Sequence, residues 1–569
     1  MKNVWTDYLT RNSLLRTLCR WRAESAWKRA PLQCLWSVVN GLEDPVSACP
    51  DNISSYLPSR RQWIRIGTKE RRRIGENALI EMTVYRTARR MFTMCADEEE
   101  RPEWINAFES LRNRIDSLRH SPEITFHPPI LHLIPKGKGS ERRCLASFDE
   151  VEDRLLLSKA ALYLRDTFDP LLSDDCFAFR RDGAFNYQSA IEDLIRYRMR
   201  YSGRRIYVAE CDIQRFFDVI NQDLVLKAYD TFVGRLEMSE RPPEELRTIL
   251  AGYLNAFTSQ GNLIVSTDPK IVDFRHLVKP LDQTDVFKFY RKRERKTVRL
   301  GIPQGGALSP LIANLVLDEA DRAVREDDDP ELFYVRFCDD IIIAHPDRTK
   351  CRAALDRYMS ALKVLKLPTH PVNRRVTFGR EYYDMKSKGP FPWQKPSAKS
   401  KNIPWVAFLG VHIRYDGLVR VRKDSIERHA EHLRRELKRF KEAVGPNGRN
   451  LKNTTDEAKE SLLRAFEARL TAMGTGYSTM RQRTVGTRSW IAAFPALTQE
   501  GPARGQMRHL DSVRGHQVSA LKKRLGFSEG QLPSGKKGYY GRPYSYYGAL
   551  LDVEKHQSFP PDPKAYSTW

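Results

Sequence analysis

The chain has 569 residues, too many for a single hydrophobic core, and this length predicts about three or four domains or subdomains. Its 96 Lys and Arg against 72 Asp and Glu give a formal net charge of +24, which favours a polyanionic partner: nucleic acid first, an anionic membrane surface second. No run approaches the roughly 18 apolar residues of a membrane-spanning helix. Nine scattered cysteines without a Cys-x-x-Cys pair indicate reduced thiols in a cytoplasmic protein and argue against structural zinc.

Residues 1–125 are predicted to form a helical N-terminal extension, because apolar residues recur at helical spacing in 76–92 and 102–120. The first thirty or so residues lack the uninterrupted apolar core of a secretory signal. They have some Arg-rich, amphipathic character of a transit peptide, but Asp7 and Glu24 interrupt it. A packed helix is the interpretation we favour.

Residues 126–423 change to short strands, glycines and aromatics that alternate with helices. Near their end, residues 383–405 are rich in Lys, Pro and Ser and predict a basic loop. A strongly basic amphipathic helix follows at 424–444 and opens a helical region that extends to about 475. Residues 476–569 are a basic C-terminal region with a tyrosine-rich stretch at 536–551.

The most unusual feature is an acidic pair between apolar flanks, in FYVRFCDDIIIAH at 333–345. Adjacent acids usually lie in solvated turns, and the pair Asp174-Asp175 and the run 327–329 have such surroundings. Asp339 and Asp340 differ, because their flanks predict two short β-strands and place the acids at a hairpin tip. Two carboxylate charges about 4 Å apart repel by roughly 4 kcal/mol at an effective dielectric of 20. A divalent cation is the usual partner for such a cluster.

Two further segments carry polar groups next to buried elements. Asp212 follows a predicted buried strand that runs from Ile206 to Ile213, where a lone Asp is usually a cap or turn residue. The segment 299–321 is a Pro-Gln-Gly-Gly turn that leads into a long apolar helix. Gly305 and Gly306 would let the backbone pass close to a ligand, and the Gln304 amide can both donate and accept hydrogen bonds.

These segments, in this order, resemble the active-site motifs of the reverse transcriptase palm. The similarity covers roughly residues 127–425, and the segments closely resemble the bacterial lineage with group II intron, retron and phage-defence reverse transcriptases. It implies an α+β right-hand polymerase, with fingers and palm at 126–423, an insertion at about 237–299 and a thumb-like region at 424–475. The departures are modest: Ala178 replaces a glycine, Phe337 a tyrosine and Cys338 an alanine.

The resemblance also implies a role for individual residues. Asp212, Asp339 and Asp340 would bind two Mg²⁺ ions, or Mn²⁺, together with the backbone carbonyl of Ile213. Contacts with the incoming nucleotide are expected from Lys136, Arg143, Phe217, Gln304 and Gly305. The hairpin at 406–422 would grip the primer and template through Phe408, Leu409 and Gly410, and its Asp416-Gly417 pair predicts a type I′ turn.

The choice of substrate depends on Phe217, five residues after Asp212. Reverse transcriptases have an aromatic steric gate there, which leaves little room for a 2′-hydroxyl, whereas RNA polymerases of similar layout usually place an acid at that site. In this sequence the acid, Asp218, comes one residue later. The chain is therefore expected to use dNTPs, while Phe216 is expected to be a core residue.

The biological role rests on resemblance alone. Within this sequence we recognise neither a Cys/His endonuclease signature nor a maturase segment after the polymerase motifs, which favours a stand-alone defence reverse transcriptase that copies a structured non-coding RNA into DNA. Three alternatives stay open: a group II intron or retron type of enzyme, an RNA-binding maturase-like factor, and a template-independent or protein-primed DNA polymerase. Tyr539, Tyr540, Tyr544, Tyr546 and Tyr547 are conceivable priming hydroxyls. The sequence does not determine the template, the primer or the oligomeric state.

Overall fold

The computed structural model describes residues 4–43, 52–95, 101–135, 142–260, 281, 284–397, 401–475, 489–527 and 545–552. Its α-helices are α1 (Trp5–Tyr8), α2 (Arg11–Trp36), α3 (Thr68–Met94), α4 (Glu103–Arg119), α5 (Val151–Phe168), α6 (Tyr187–Arg200), α7 (Phe216–Val219), α8 (Gln222–Gly234), α9 (Glu244–Asn255), α10 (Ser309–Val324), α11 (Arg348–Val364), α12 (Lys423–Val444), α13 (Asp456–Gly474), α14 (Pro502–Arg524) and α15 (Tyr546–Asp552). Its strands are β1 (Ile130–Pro135), β2 (Arg142–Ser147), β3 (Ile206–Glu210), β4 (Phe333–Phe337), β5 (Asp340–His345), β6 (Val372–Asn373), β7 (Ser387–Trp393), β8 (Trp405–Phe408), β9 (Val411–Arg414) and β10 (Val419–Val421). The predicted α+β class is confirmed.

A five-stranded sheet with the order β4-β5-β3-β7-β6 carries the predicted catalytic segments. All its neighbours pair antiparallel except β6 and β7. Its interior strand β5 buries apolar residues on both faces, as expected of a sheet covered on both sides. On β5, Ile341 and Ile343 pack into one hydrophobic core, while Ile342 packs into another on the opposite face.

These two cores join the regions that the sequence separates. The first contains Trp5, Leu15 and Phe108 of the N-terminal helices together with the buried faces of α5, α8, α9 and α10. The second contains β8 to β10, α12 and residues of the C-terminal region such as Leu510 and Tyr546. The helices of the N-terminal extension therefore pack against the polymerase-like part. The boundaries of the predicted domains stay a prediction.

Several local expectations can be compared with the structure. The predicted helices at 76–92 and 102–120 lie in α3 and α4. None of the helices in the described ranges has the combination of length and hydropathy that a membrane span needs. In the expected insertion, α9 buries Leu246, Ile249 and Tyr253 in the first core, whereas residues 261–280, 282 and 283 lie outside the described residues.

The predicted basic loop at 383–405 is wrong at Ser387–Trp393. Residues Ser387–Trp393 form β7, which pairs antiparallel with β3 and parallel with β6. Two prolines, a glycine and a lysine conceal this strand in the sequence, because these residues are depleted in strands. Tertiary pairing with β3 overrides that preference.

The predicted type I′ turn at Asp416-Gly417 is also wrong. The Gly417 N–H donates to the Arg414 carbonyl at 2.9 Å, and within this turn only Gly417 has a positive φ, of 85°. This geometry is a type I turn followed by a bulged glycine, as in three-residue hairpin loops. A two-residue turn with positive φ at both positions occurs instead between β8 and β9, at Leu409 (42°) and Gly410 (85°).

Candidate active site

The paired acids lie at the tip of the hairpin formed by β4 and β5, as predicted. Phe337 pairs with Asp340, so Cys338 and Asp339 form a two-residue connection. Cys338 has a φ of 59°, a left-handed conformation that costs a non-glycine residue on the order of 1–3 kcal/mol. The surrounding sheet must therefore hold this turn in place.

Asp212 lies two residues beyond β3, next to that hairpin. The register of β3 with β5 pairs Ala209 with Ile343, and three further steps along it would bring Asp212 opposite Asp340. Two backbone contacts fix Asp212: its N–H donates to the Ser387 hydroxyl at 3.0 Å, and its carbonyl accepts from the His370 N–H at 2.9 Å. Ile213 and Thr369 face each other in an isolated antiparallel bridge, whose hydrogen bonds are made by residues 212 and 214. Because backbone groups alternate in direction along an extended strand, the Ile213 carbonyl is expected to point away from Thr369.

The electrostatics of Asp340 connect the three carboxylates. Asp340 is exposed as a residue, but protein atoms surround its carboxyl group. This desolvation, followed by the negative charges of Asp339 and Asp212, raises the pKa of Asp340 to about 7. Arg422 and Lys386 oppose the shift, and the Lys386 ammonium lies 3.4 Å from the Asp212 carboxylate.

We tested whether these residues suit divalent cations. As they stand, no three His, Cys, Asp or Glu side chains in the described part of the chain are close enough together to hold a metal ion. The donor set nevertheless fits, because three carboxylates supply the oxygen ligands that Mg²⁺ prefers. Desolvation and, after it, the negative charges of Asp339 and Asp212 raise the pKa of Asp340, and a bound cation would oppose both effects.

The Pro-Gln-Gly-Gly turn packs beside the predicted steric gate. The Phe217 carbonyl accepts from the Ile302 N–H at 2.9 Å, and the Phe217 ring is half-buried, whereas Phe216 is a core residue as expected. The Gln304 carbonyl accepts from the Ala146 N–H of β2 at 2.7 Å, so the turn also contacts the β1–β2 hairpin, which is the predicted fingers hairpin.

The glycines of this turn are required by the protein itself. A Cβ on Gly306 would lie 1.9 Å from the Tyr253 hydroxyl, and one on Gly305 would lie 3.1 Å from the Ala146 carbonyl oxygen. The expectation that both glycines make room for a ligand is thus incomplete. Their nearest neighbours in the structure are protein atoms.

The remaining predicted contacts are placed only in part. Lys136 lies outside the described residues, as does the side chain of Arg143, whose backbone pairs with Ile134 in the fingers hairpin. Phe408 is buried in the second core, which leaves Leu409 and Gly410 on the turn between β8 and β9, in the hairpin predicted to grip the primer.

Three of the candidate priming tyrosines, Tyr539, Tyr540 and Tyr544, lie outside the described residues. The Tyr546 hydroxyl is buried and hydrogen-bonded to His429 at 2.6 Å, which argues against a priming role for this residue.

Sequence reasoning missed the lysines of the β7 segment. The Lys388 ammonium donates to Glu210 at 2.5 Å, and both side chains are buried or nearly so. Lys386, two residues earlier, approaches Asp212. The Lys-x-Lys spacing, with period two, was the signal that could have placed both side chains on one face of a strand.

Residues 134–410 match the family model of the reverse transcriptase (RNA-dependent DNA polymerase). None of the curated proteins matches the chain significantly.

Similar solved structures include telomerases of two Candida species. An apo telomerase from Candida tropicalis truncated from its C-terminal domain has 11% identity and a TM-score of 0.35, over 52% of this chain and 55% of that one. The apo telomerase from the same organism has 10% identity and a TM-score of 0.36, over 74% and 64%. Telomerase from Candida albicans in complex with a TWJ fragment of telomeric RNA has 10% identity and a TM-score of 0.32, over 87% and 77%.

This chain thus spans between about half and two-thirds of the length of the two Candida tropicalis proteins. The matched family model describes a reverse transcriptase (RNA-dependent DNA polymerase) domain, which is a nucleotidyltransferase domain. Over residues 134–410, a little under half of its length, the chain is similar to the reverse transcriptases.

Proposed function

We propose that the chain synthesises DNA on an RNA template and that Asp212, Asp339 and Asp340 are its catalytic carboxylates. The observation that carries the proposal is the strand register, which brings the end of β3 beside the tip of the β4–β5 hairpin. The raised pKa of Asp340, caused in part by the other two carboxylates, supports a shared site.

The carboxylates would hold two divalent ions, Mg²⁺ or Mn²⁺, with the Ile213 carbonyl as a further ligand. When bound, such ions activate the primer hydroxyl and neutralise the triphosphate. Asp340 must lose its proton to serve as a ligand, so the positive charges of Lys386 and Arg422 favour the competent state. The Phe217 ring would select dNTPs by excluding a 2′-hydroxyl.

The basic surface of α12 supports nucleic-acid binding. Ile426, Leu433 and Phe440 are buried on one face of this helix. The opposite face exposes Arg428, Arg434, Arg435 and Lys438, which could follow the phosphates of template and product. This arrangement fits the expected thumb at 424–475.

For the biological role we propose antiphage defence in the cytoplasm, with a structured non-coding RNA as template. Support comes from the sequence resemblance to stand-alone defence reverse transcriptases and from a complete set of three aspartates. That set also argues against a purely RNA-binding, maturase-like factor.

The test is incorporation of labelled dNTPs and rNTPs with Mg²⁺ on a primed RNA template, with sequencing of the nucleic acid that copurifies. The variants are Asp339→Asn and Asp340→Asn, and the matched control is Asp174→Asn, which changes an exposed acid of the chain's other Asp-Asp pair. We expect wild type and Asp174→Asn to incorporate dNTPs, and both hairpin variants to be inactive but folded.

The outcomes separate the hypotheses. DNA complementary to a bound RNA identifies the template and supports templated synthesis, whereas a product independent of the supplied template indicates a terminal transferase. Active hairpin variants would refute the assigned roles. If no protein incorporates nucleotide while all retain one RNA, the binding-factor interpretation replaces the polymerase.

A further inference from the structure

A charged side chain is buried within the β4–β5 hairpin that carries Asp339 and Asp340, called the catalytic hairpin below. Arg336 of β4 is 0% exposed, and so is the carboxylate of Asp321 on α10. The guanidinium donates to both carboxylate oxygens, from Nε at 2.7 Å and from Nη2 at 2.6 Å. Tyr334 donates a third hydrogen bond to Asp321, at 2.7 Å.

The remaining nitrogen of Arg336 reaches the turn that precedes the paired acids. Nη1 donates to the Cys338 carbonyl at 3.2 Å and to the Asn314 side-chain oxygen at 3.1 Å. The Cys338 carbonyl belongs to the peptide bond that enters Asp339. Because Cys338 has a strained φ of 59°, this hydrogen bond acts at the point where the turn needs support.

The backbone of Arg336 joins the same network to a third segment. Its N–H donates to the Asp175 carbonyl at 2.8 Å, and its carbonyl accepts from the Phe177 N–H at 2.9 Å. Asn314, which accepts from the guanidinium, also donates to the Ala178 carbonyl at 2.8 Å and so links Arg336 to this segment a second time. The helix after the Pro-Gln-Gly-Gly turn, the segment 175–178 and the catalytic hairpin therefore meet at one residue, Arg336, through its side chain and its backbone.

A buried ion pair is weak evidence of stabilisation, because desolvation of two charges offsets much of their attraction. The network also contains more than an ion pair, since only a planar fork can bind a carboxylate with two nitrogens and a backbone carbonyl with the third. Lysine would keep the charge but could not make this set of contacts.

We propose that Arg336 is a positioning residue that fixes the Cys338–Asp339 peptide, and through it the catalytic carboxylates. The inference rests on the proposed function of Asp339 and Asp340. Its expected signature is a loss of kcat and a weaker response to Mg²⁺, with little change in the KM for dNTP.

The experiment compares Arg336→Lys with Asp321→Asn, using kcat per folded enzyme, KM for dNTP, and the Mg²⁺ concentration for half-maximal rate. Both substitutions weaken the ion pair, but only Arg336→Lys removes the hydrogen bond to the Cys338 carbonyl. Misplacement of reacting groups by about 1 Å costs on the order of 100-fold in rate, and we expect a loss of this size for Arg336→Lys. Asp321→Asn should lower stability and leave kcat per folded enzyme close to wild type.

A triple variant keeps the inference testable if the single variants fold poorly. Arg336→Met, Asp321→Leu and Tyr334→Phe together remove the ion pair and the hydroxyl that donates to it. The buried Asn314 side-chain oxygen loses the Arg336 donor but still accepts from the Cys176 thiol at 3.3 Å. Apolar replacement of a whole buried pair is often neutral or stabilising, so we expect the triple variant to fold and its kcat to stay low.

Equal losses in Arg336→Lys and Asp321→Asn, or recovery of wild-type kcat in the triple variant, would overturn the positioning role and leave the proposed function standing. An inactive wild type would overturn the proposed function itself, and the inference with it.

Discussion

Lys159 offers a quantitative test of how the N-terminal extension joins the polymerase-like part. This residue of α5 is 4% exposed, and its ammonium donates to the Ser13 carbonyl at 2.8 Å and to the Ser13 hydroxyl at 2.9 Å. Burial, and to a smaller extent the charge of Arg20, lowers the pKa of Lys159 from 10.5 to about 7. The perturbation is Lys159→Met, which keeps an unbranched side chain of similar size and removes the ammonium group.

The sign follows from proton linkage. Between pH 7 and 10.5 the unfolded chain binds a proton at Lys159 that the folded protein does not bind, so this residue makes stability rise with pH. A displacement of about 3.5 pKa units at 1.36 kcal/mol each costs on the order of 4–5 kcal/mol at or below pH 7. Loss of two hydrogen bonds offsets roughly 2 kcal/mol. Lys159→Met should therefore stabilise the protein at pH 7 by about 2–3 kcal/mol.

Urea denaturation of both proteins between pH 7 and 10 measures the effect. The stability advantage of Lys159→Met should shrink by about 3–4 kcal/mol over this range, while groups that titrate in both proteins cancel in the difference. The exposed Lys227→Met serves as a control and should change stability by no more than about 0.5 kcal/mol. If the stability difference between Lys159→Met and wild type does not vary with pH, or if the variant is less stable than wild type at pH 7, Lys159 is not a buried lysine with a lowered pKa.

Three further predictions concern the palm. Lys388→Met leaves Glu210 buried without its cation and should cost about 3–5 kcal/mol in urea denaturation, most of it recovered by adding Glu210→Leu; an unchanged midpoint would contradict this. Phe217→Val enlarges the space under the sugar and should raise kcat/KM for rNTPs relative to dNTPs. If the ratio of the two kcat/KM values does not change, Phe217 is not the steric gate. Gly306→Ala places a Cβ 1.9 Å from the Tyr253 hydroxyl and should lower the free energy of unfolding by roughly 1–3 kcal/mol. Adding Tyr253→Phe should restore part of this stability, and an equal loss in the single and the double variant would contradict the steric cause.

The sequence by itself determined the features that depend on neighbouring residues. The apolar flanks of Asp339 and Asp340 specify two strands joined by a tight connection, and the structure confirms this hairpin. Asp212 follows its strand and the Pro-Gln-Gly-Gly turn precedes its helix for the same local reason. The order of these segments was enough to indicate a resemblance to the reverse transcriptases, whose family model matches residues 134–410.

Only the tertiary structure decided the surroundings of the three aspartates. Lys386 and Lys388 reach Asp212 and Glu210 across more than 170 positions of sequence because β7 pairs with β3, although the composition of β7 favours a loop. Arg336 meets its partner Asp321 and the Cys338 carbonyl only when the strand packs on α10. The spacing of apolar residues along the sequence indicates which face of a helix or strand is buried. It does not indicate which other element covers that face. The identity of the partner follows from packing of the whole chain. The same packing sets the charges that surround each candidate catalytic carboxylate.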